Sequence, residues 1–506
     1  MSLMTRSSTV DGIIRRSAKT FRDRPAVIFG ERTLSYAALD DAVTRAAAHL
    51  LDLGLTKGDR VAAYGKNSDA YLVGFLACAR AGLVHVPLNY NLTGPELSYL
   101  VTQSGSRAIL HDPALATHID LLDPEALDQL EHRIALRDAD VSLIEVALSG
   151  DMPTIDVEVS DTDTAQFLYT SGTTSRPKAA IMSHRALVHE YVSCIVALDL
   201  AAEDNPLHVM PLYHSAQMHV FLVPWLAVGA TNTILEVPDA AEVLRRIEQD
   251  GHRAFFAAPT LWVAMANHAD FETRGLGGLV KAYYGASIMP VPVLKRIQAK
   301  APALGFYNCF GQSEIAPLAT VLRPEEHADR PDSAGRPILF VEARVIDGDG
   351  KDVAPGETGE IVYRSPQLCD GYWNDPKATE EAFAGGWFHS GDLVRIDEEG
   401  FIFVVDRIKD VINTGGVLVA SREVEDALYT HPAVAEVAVV GEPDEKWVEA
   451  VTAFVVPKAE VTEADLVEHV RGSLASFKIP KRITFVDTLP RNASGKILKR
   501  ELRGSA

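Results

Sequence analysis

Cysteine, basic side chains and long apolar runs are all scarce in this 506-residue chain. Its four cysteines, Cys78, Cys194, Cys309 and Cys369, lie tens of residues apart and form no C-x-x-C pair. That spacing argues against a secreted disulfide framework or a zinc site and fits reduced thiols in a cytoplasmic protein. The longest strongly apolar stretch, His219–Ala230, is too short for a transmembrane segment and is interrupted by Pro224. The N-terminus, MSLMTRSSTVDG, lacks the apolar centre of a signal peptide. Lys and Arg number 48 against 69 Asp and Glu, a net charge of −21. Such a surface repels a phosphate backbone, so no nucleic acid is expected as a partner. Ordinary glycine and proline usage, 35 and 27 residues, excludes a fibrous or disordered chain. There is no G-x-S-x-G elbow and no G-x-x-x-x-G-K-[ST] loop, and the pairs His184/His189 and His214/His219 are spaced by five. A serine hydrolase, a Walker-type ATPase and a zincin therefore lack support.

What the chain does have is regular alternation. Strands are expected at Pro25–Phe29, Arg32–Ser35, Arg60–Tyr64, Val84–Pro87 and Arg107–His111, with helices at Ser35–Leu53, Asp69–Arg80 and Gly94–Gln103 between them. Strands alternating with helices imply an α/β fold with parallel sheets covered on both faces. The pattern resumes at Thr231–Glu236, Ala240–Gln249, Arg253–Ala257 and Lys281–Gly285. After about Gly335 short strands and turns take over (Glu342–Ile346, Gly359–Arg364, Phe401–Val405), as in a small β subdomain. From Arg407 onward there are 14 basic and 15 acidic side chains, against 34 and 54 before it. These shifts place a boundary at 406/407, dividing residues 1–406 from a small α+β unit, 407–506.

The most informative segment is Leu168-Tyr-Thr-Ser-Gly-Thr-Thr-Ser-Arg-Pro-Lys178. A strand over Ala165–Thr170 runs into a loop of hydroxyl residues around Gly172 that ends at Pro177-Lys178. Exposed backbone N–H groups, hydroxyls and one cation are what a polyphosphate needs. Further segments follow in order: Tyr284-Gly-Ala-Ser287, Asn308-Cys-Phe-Gly-Gln-Ser-Glu314, Trp387-Phe-His-Ser-Gly-Asp392, Asp406-Arg-Ile-Lys-Asp410, Gly415-Gly416 with Glu423-Val-Glu425, and Pro490-Arg-Asn-Ala-Ser-Gly-Lys496.

This ordered set resembles the adenylate-forming superfamily, which includes the acyl-CoA synthetases, adenylation domains and firefly-type luciferases. The resemblance implies a large N-terminal domain of two α/β subdomains plus a β subdomain, and a small mobile C-terminal lid. It implies that Thr170, Ser171, Gly172, Thr173, Thr174 and Lys178 form the phosphate loop. Gly285, Ala286, Ser287, Asn308, Phe310, Gly311, Gln312 and Ser313 would line the adenine and acyl pockets. Glu314, with Thr170, would hold the magnesium that bridges the ATP phosphates, a task suited to a hard carboxylate oxygen. Asp392 and Arg407 would contact the nucleotide, His214 would stand at the mouth of the acyl pocket, and Lys409 would be the hinge within 406–409. Lys496 would supply the cation for adenylation, where charge grows on the phosphate oxygens and the leaving pyrophosphate. Gly415 and Gly416 would face coenzyme A.

The implied activity is that of an ATP-dependent acyl-CoA ligase: acid and ATP give acyl-AMP and pyrophosphate, then acyl-AMP and CoA give acyl-CoA and AMP. ATP, Mg2+, CoA and a small-molecule carboxylic acid are the expected partners, with a homodimer possible. The sequence departs from the family pattern at Ser175 and Ala179, where glycines are usual, at Ser313 for a Thr, and after Gly416, where Val-Leu-Val-Ala-Ser replaces the usual Asn and Tyr-Pro. An amino-acid adenylation domain usually has an Asp near Tyr213-His214, absent here; ligases that pass acyl groups to a carrier protein tend to carry an insertion, also absent. The small residues Ala216, Gly285, Ala286, Gly311 and Ala316 suggest room for a long tail. A medium- or long-chain fatty acid is therefore expected ahead of a coumarate-like aryl acid.

Overall fold

In the computed structural model the chain is described over residues 7–170, 176–285, 289–415, 417–444, 446–491 and 497–503. It divides into two compact units, Met1–Glu342 with Arg364–Phe388, and Ala343–Tyr363 with His389–Ala506. The division thus passes around the β-rich strands rather than at 406/407.

Among the described residues the first unit contains two sheets. One has six strands in the order His132–Ala135, Ser106–His111, Arg60–Tyr64, Val84–Leu88, Thr164–Thr170 and Lys178–Ser183. The other has nine, from Arg336–Pro337 through Leu318–Leu322, Gly305–Gly311, Lys281–Gly285, Ala254–Phe256, Leu207–His208, Asn232–Ile234 and Pro25–Phe29 to Arg32–Ser35. The helices on these sheets form for local reasons. Ser35 caps Tyr36–Asp52 by accepting the Ala38 N–H, and Leu39, Ala42, Val43, Ala46, Ala47 and Leu50 give that helix one buried stripe. Asp69–Ala81 is buried on every side, capped by Ser68 and ended by Gly82 at φ +66°.

The expectation of purely parallel sheets holds in their interiors and fails at their edges. Thr164–Thr170 pairs antiparallel with Lys178–Ser183, as does Gly305–Gly311 with Leu318–Leu322. The connections, residues 171–177 and 312–317, are too short for the crossover of a dozen or more residues that a parallel return requires. Both excursions carry chemical motifs.

The second unit has a four-stranded sheet in the order Glu342–Ile346, Thr358–Arg364, Phe388–Ile396, Ile402–Arg407. A five-stranded sheet of Val417–Val419, Ile412–Thr414, Val448–Pro457, Val434–Asp444 and Arg482–Phe485 carries the helices Ser421–Tyr429 and Glu463–Arg471. Among the elements outside the sequence reading are the helix Val10–Thr20, capped by Thr9, and a π-helical turn over Ala216–Leu222. No helix among the described residues is long and apolar enough to cross a membrane.

Candidate active site

In the first unit the site rests on the two antiparallel hairpins. Thr170 and Lys178 face each other across one of them, so the hydroxyl-rich loop leaves and re-enters the sheet at a hydroxyl and a cation. Ser171, Gly172, Thr173 and Thr174 lie outside the described residues. The Lys178 ammonium lies 5.4 Å from the centre of the Tyr372 ring, within cation–π range.

The Tyr372 hydroxyl donates to Glu314 Oε1 at 3.1 Å. Burial, followed by the Glu314 carboxylate beside it, pushes the Tyr372 phenol pKa up, so the group remains a proton donor at neutral pH. Glu314 itself is 8% exposed. Among the described residues no Lys or Arg pairs with it, although a buried carboxylate ordinarily demands a cation. Beside it, Ser313 Oγ meets Ser215 Oγ at 3.2 Å, which joins this excursion to the segment carrying His214. The His214 Nδ1 accepts the Ala216 N–H at 3.3 Å, which leaves Nε2 as the protonated nitrogen. Gln312 Nε2 is buried with no hydrogen-bond partner among the described residues, an orphaned donor next to Glu314.

Gly285 and Asn308–Gly311 lie on adjacent parallel strands, with Tyr284 opposite Asn308 and Gly285 opposite Cys309. Asn308 is anchored by its Nδ2 donating to the Ser333 carbonyl at 2.9 Å, and Phe310 faces Thr320. Ala286 and Ser287 lie outside the described residues. The two glycines correct the expectation of spare room. A Cβ on Gly285 would stand 2.2 Å from the Cys309 carbonyl oxygen, and one on Gly311 would stand 2.0 Å from that of Pro317. On their side-chain side these glycines admit neighbouring backbone, not an acyl tail.

In the second unit, Asp392 and Arg407, quoted from separate motifs, are direct cross-strand partners. Arg407 Nε lies 2.7 Å from Asp392 Oδ1, and Arg407 Nη1 donates to the Ser390 carbonyl at 3.1 Å. Asp392 is 3% exposed, and its N–H is held by Ser390 Oγ at 3.0 Å. The pair offers a fixed carboxylate acceptor beside a guanidinium donor. Lys409 lies in the short turn Ile408–Asp410, where Arg503 Nη2 donates to the Lys409 carbonyl at 2.9 Å. Gly415 takes φ +64°, a left-handed conformation that favours glycine, and donates its N–H to the Trp447 carbonyl. Gly416 and Lys496 lie outside the described residues.

Tyr372 and Ser215 were not legible as site residues. Tyr372 is 58 residues from Glu314 in sequence, and nothing in the local pattern Gly371-Tyr-Trp373 signals the contact.

No group of three or more His, Cys, Asp or Glu side chains among the described residues is placed to hold a metal ion. An all-protein cage is therefore absent among them. A single buried carboxylate with hydroxyl neighbours instead suits Mg2+, which keeps much of its shell as water and phosphate oxygens.

Comparison with known proteins adds independent findings. The profile described as "AMP-binding enzyme" matches residues 14–373, and that described as "AMP-binding enzyme C-terminal domain" matches 423–496. A feruloyl-CoA synthase from Amycolatopsis is 37% identical over 490 residues, covering 96% of this chain and 97% of its own. A medium/long-chain-fatty-acid–CoA ligase of Mycobacterium tuberculosis is 34% identical over 526 residues, covering 99% of this chain and 90% of its own. Among solved structures, ATP-bound MatB from Rhodopseudomonas palustris superposes with a TM-score of 0.89 at 30% identity, covering 98% of this chain and 99% of that one.

Proposed function

The chain belongs to the AMP-binding enzyme family and is an AMP-forming acyl-CoA ligase; from that premise we propose that its acid is an aryl-propenoic acid of the ferulate class. The 37% identical relative, named for feruloyl-CoA, supports this choice. So does the loss of the argument for a long tail, since Gly285 and Gly311 are small to admit backbone. A medium- or long-chain fatty acid is the second reading, favoured by the 34% identical mycobacterial relative.

The observation that carries the assignment of roles is Glu314, a buried carboxylate gripped by a phenol and lacking a cationic partner among the described residues. Glu314, with Thr170, would hold Mg2+, which when bound to ATP offsets the charge of the phosphates. Lys178 and the loop it closes bind the polyphosphate through ammonium and backbone N–H groups. The substrate carboxylate oxygen attacks the α-phosphorus, the bond to pyrophosphate breaks, and Lys496 meets the negative charge that develops. Asp392 accepts hydrogen bonds from ribose hydroxyls, held in place by Arg407. In the second half, a turn about Lys409 exchanges Lys496 for Gly415-Gly416. The CoA thiolate then attacks the acyl carbonyl and AMP departs with the former carboxylate oxygen. One fold thereby serves two half-reactions.

Pyrophosphate release over a panel of ferulate, coumarate and C4–C16 fatty acids, with and without CoA, tests this reading. The aryl acids should give the highest kcat/KM, with turnover dependent on CoA. A preference for every fatty acid longer than octanoate would move the assignment to the second reading.

A further inference from the structure

Glu190 has no part in the chemistry above, yet it is a carboxyl group with 0% exposure inside the first unit. It lies on the helix His184–Ala197, and each of its oxygens is engaged. Oε1 accepts the Leu318 backbone N–H at 2.9 Å and the Cys194 thiol at 3.3 Å. Oε2 meets Gln367 Nε2 at 2.5 Å. These partners are all uncharged, and burial pushes the Glu190 pKa well up, which favours the neutral acid. The Gln367 amide is held with its N–H toward Glu190, because its oxygen accepts from Ser193 Oγ and its Nε2 also meets the Leu318 carbonyl.

The elements that Glu190 joins are the two that hold Glu314. Leu318 is the first residue of the strand after the 312–317 excursion, so its N–H marks the downstream base of the Glu314 loop. Gln367 begins the run that reaches Glu314 from the other side: Cys369 N–H donates to the Glu314 carbonyl at 2.8 Å, and Tyr372 holds the Glu314 carboxylate. Gln367 Nε2 also lies 3.2 Å from the Leu318 carbonyl, and Ser193 Oγ donates to Gln367 Oε1 at 2.6 Å. One buried side chain thus fastens both arms of the Glu314 support to a single helix.

We propose that Glu190 is a positioning residue for the ligase reaction, a buried bolt that fixes the Glu314 carboxylate by clamping Leu318 and Gln367 to the helix beneath. This rests on the reading of Glu314 given above. Both arms use the carboxyl oxygens as acceptors, one for the Leu318 N–H and one for the Gln367 Nε2–H, so an amide at position 190 keeps the first arm and sets N–H against N–H at the second.

The test compares Glu190→Gln, Glu190→Ala, Gln367→Ala and Glu314→Gln. Hydrogen exchange of the ligand-free protein should show amides 312–318 exchanging at least about 10-fold faster in Glu190→Ala, with a smaller increase in Glu190→Gln. Adenylation should fall about 10²-fold in Glu190→Ala, the scale of misplacing a catalytic group by about an ångström. The half-saturating Mg2+ concentration should rise while KM for the acid stays constant, and Glu190→Gln, which keeps the Leu318 arm, should fall between the natural protein and Glu190→Ala in both adenylation rate and Mg2+ requirement. If Glu190→Ala does not fold, Gln367→Ala removes the second arm and should give the same pattern. Unchanged exchange at 312–318, an unchanged Mg2+ requirement, or Glu190→Gln failing as badly as Glu190→Ala would each overturn the proposal. Full activity in Glu314→Gln would instead overturn the reading of Glu314 on which it rests.

Discussion

At the scale of single residues, the buried histidines and Tyr372 make opposite uses of burial. His85, His184, His208 and His219 are all fully buried, and burial lowers their pKa values to about 3, 4, 4 and 3. In each ring Nδ1 accepts a hydrogen bond from a neighbour: from Gln166 Nε2 in His85, the Val10 N–H in His184, Gln217 Nε2 in His208 and the Tyr191 hydroxyl in His219. A second proton on His85, His184 or His208 would set N–H against a donor. Since the unfolded chain protonates these rings near pH 6.5, it binds more protons below that value. Stability is therefore present above about pH 6.5 and is lost as pH falls toward 3–4, by up to about 1.4 kcal/mol per pH unit for each ring. Denaturant unfolding at pH 7.5, 6.5 and 5.5 should show the loss beginning below pH 6.5; equal midpoints at all three would contradict it. Tyr372 uses burial to keep its proton and spend it on Glu314. Tyr372→Phe should lower adenylation about 10-fold or more, the value of one hydrogen bond to a charged group, and raise the Mg2+ requirement. A Mg2+ titration of pyrophosphate release checks this, and an unchanged curve would remove Tyr372 from the site.

Elements were legible in the sequence wherever period and caps agreed. Tyr36–Asp52 and Asp69–Ala81 form where a capping serine precedes an apolar run and a glycine follows it. The antiparallel edges were written only in the length of the connections, which a reading based on alternation passes over. The cross-strand pair Asp392–Arg407 and the contact of Tyr372 with Glu314 join residues far apart in sequence, so no local pattern could announce them. The same limit explains Gly285 and Gly311: smallness is visible in the sequence, but what it makes room for depends on the neighbouring strand. Gly311→Ala and Gly285→Ala should each cost about 1–3 kcal/mol or more through collision with backbone that cannot rotate aside. Denaturation midpoints test this. A Gly311→Ala protein of natural stability with an altered preference among acids would restore the acyl-channel reading.

For the whole molecule, the account requires two half-reactions that can be separated. The proposed pivot, Lys409, follows the strand Ile402–Arg407 and precedes the C-terminal sheet. Lys409→Pro fixes φ near −65°, so it should leave a single turnover of pyrophosphate release nearly intact and slow CoA transfer at least about 10-fold. Normal rates in both halves would place the pivot elsewhere. The central claim, that the acid is activated by forming a bond to AMP, has a direct isotopic test. Ferulate carrying 18O in both carboxylate oxygens, turned over with ATP and CoA, should leave one 18O in the AMP and one in the thioester carbonyl. Label in pyrophosphate or orthophosphate, or AMP without 18O beside an acyl-CoA product, would contradict it.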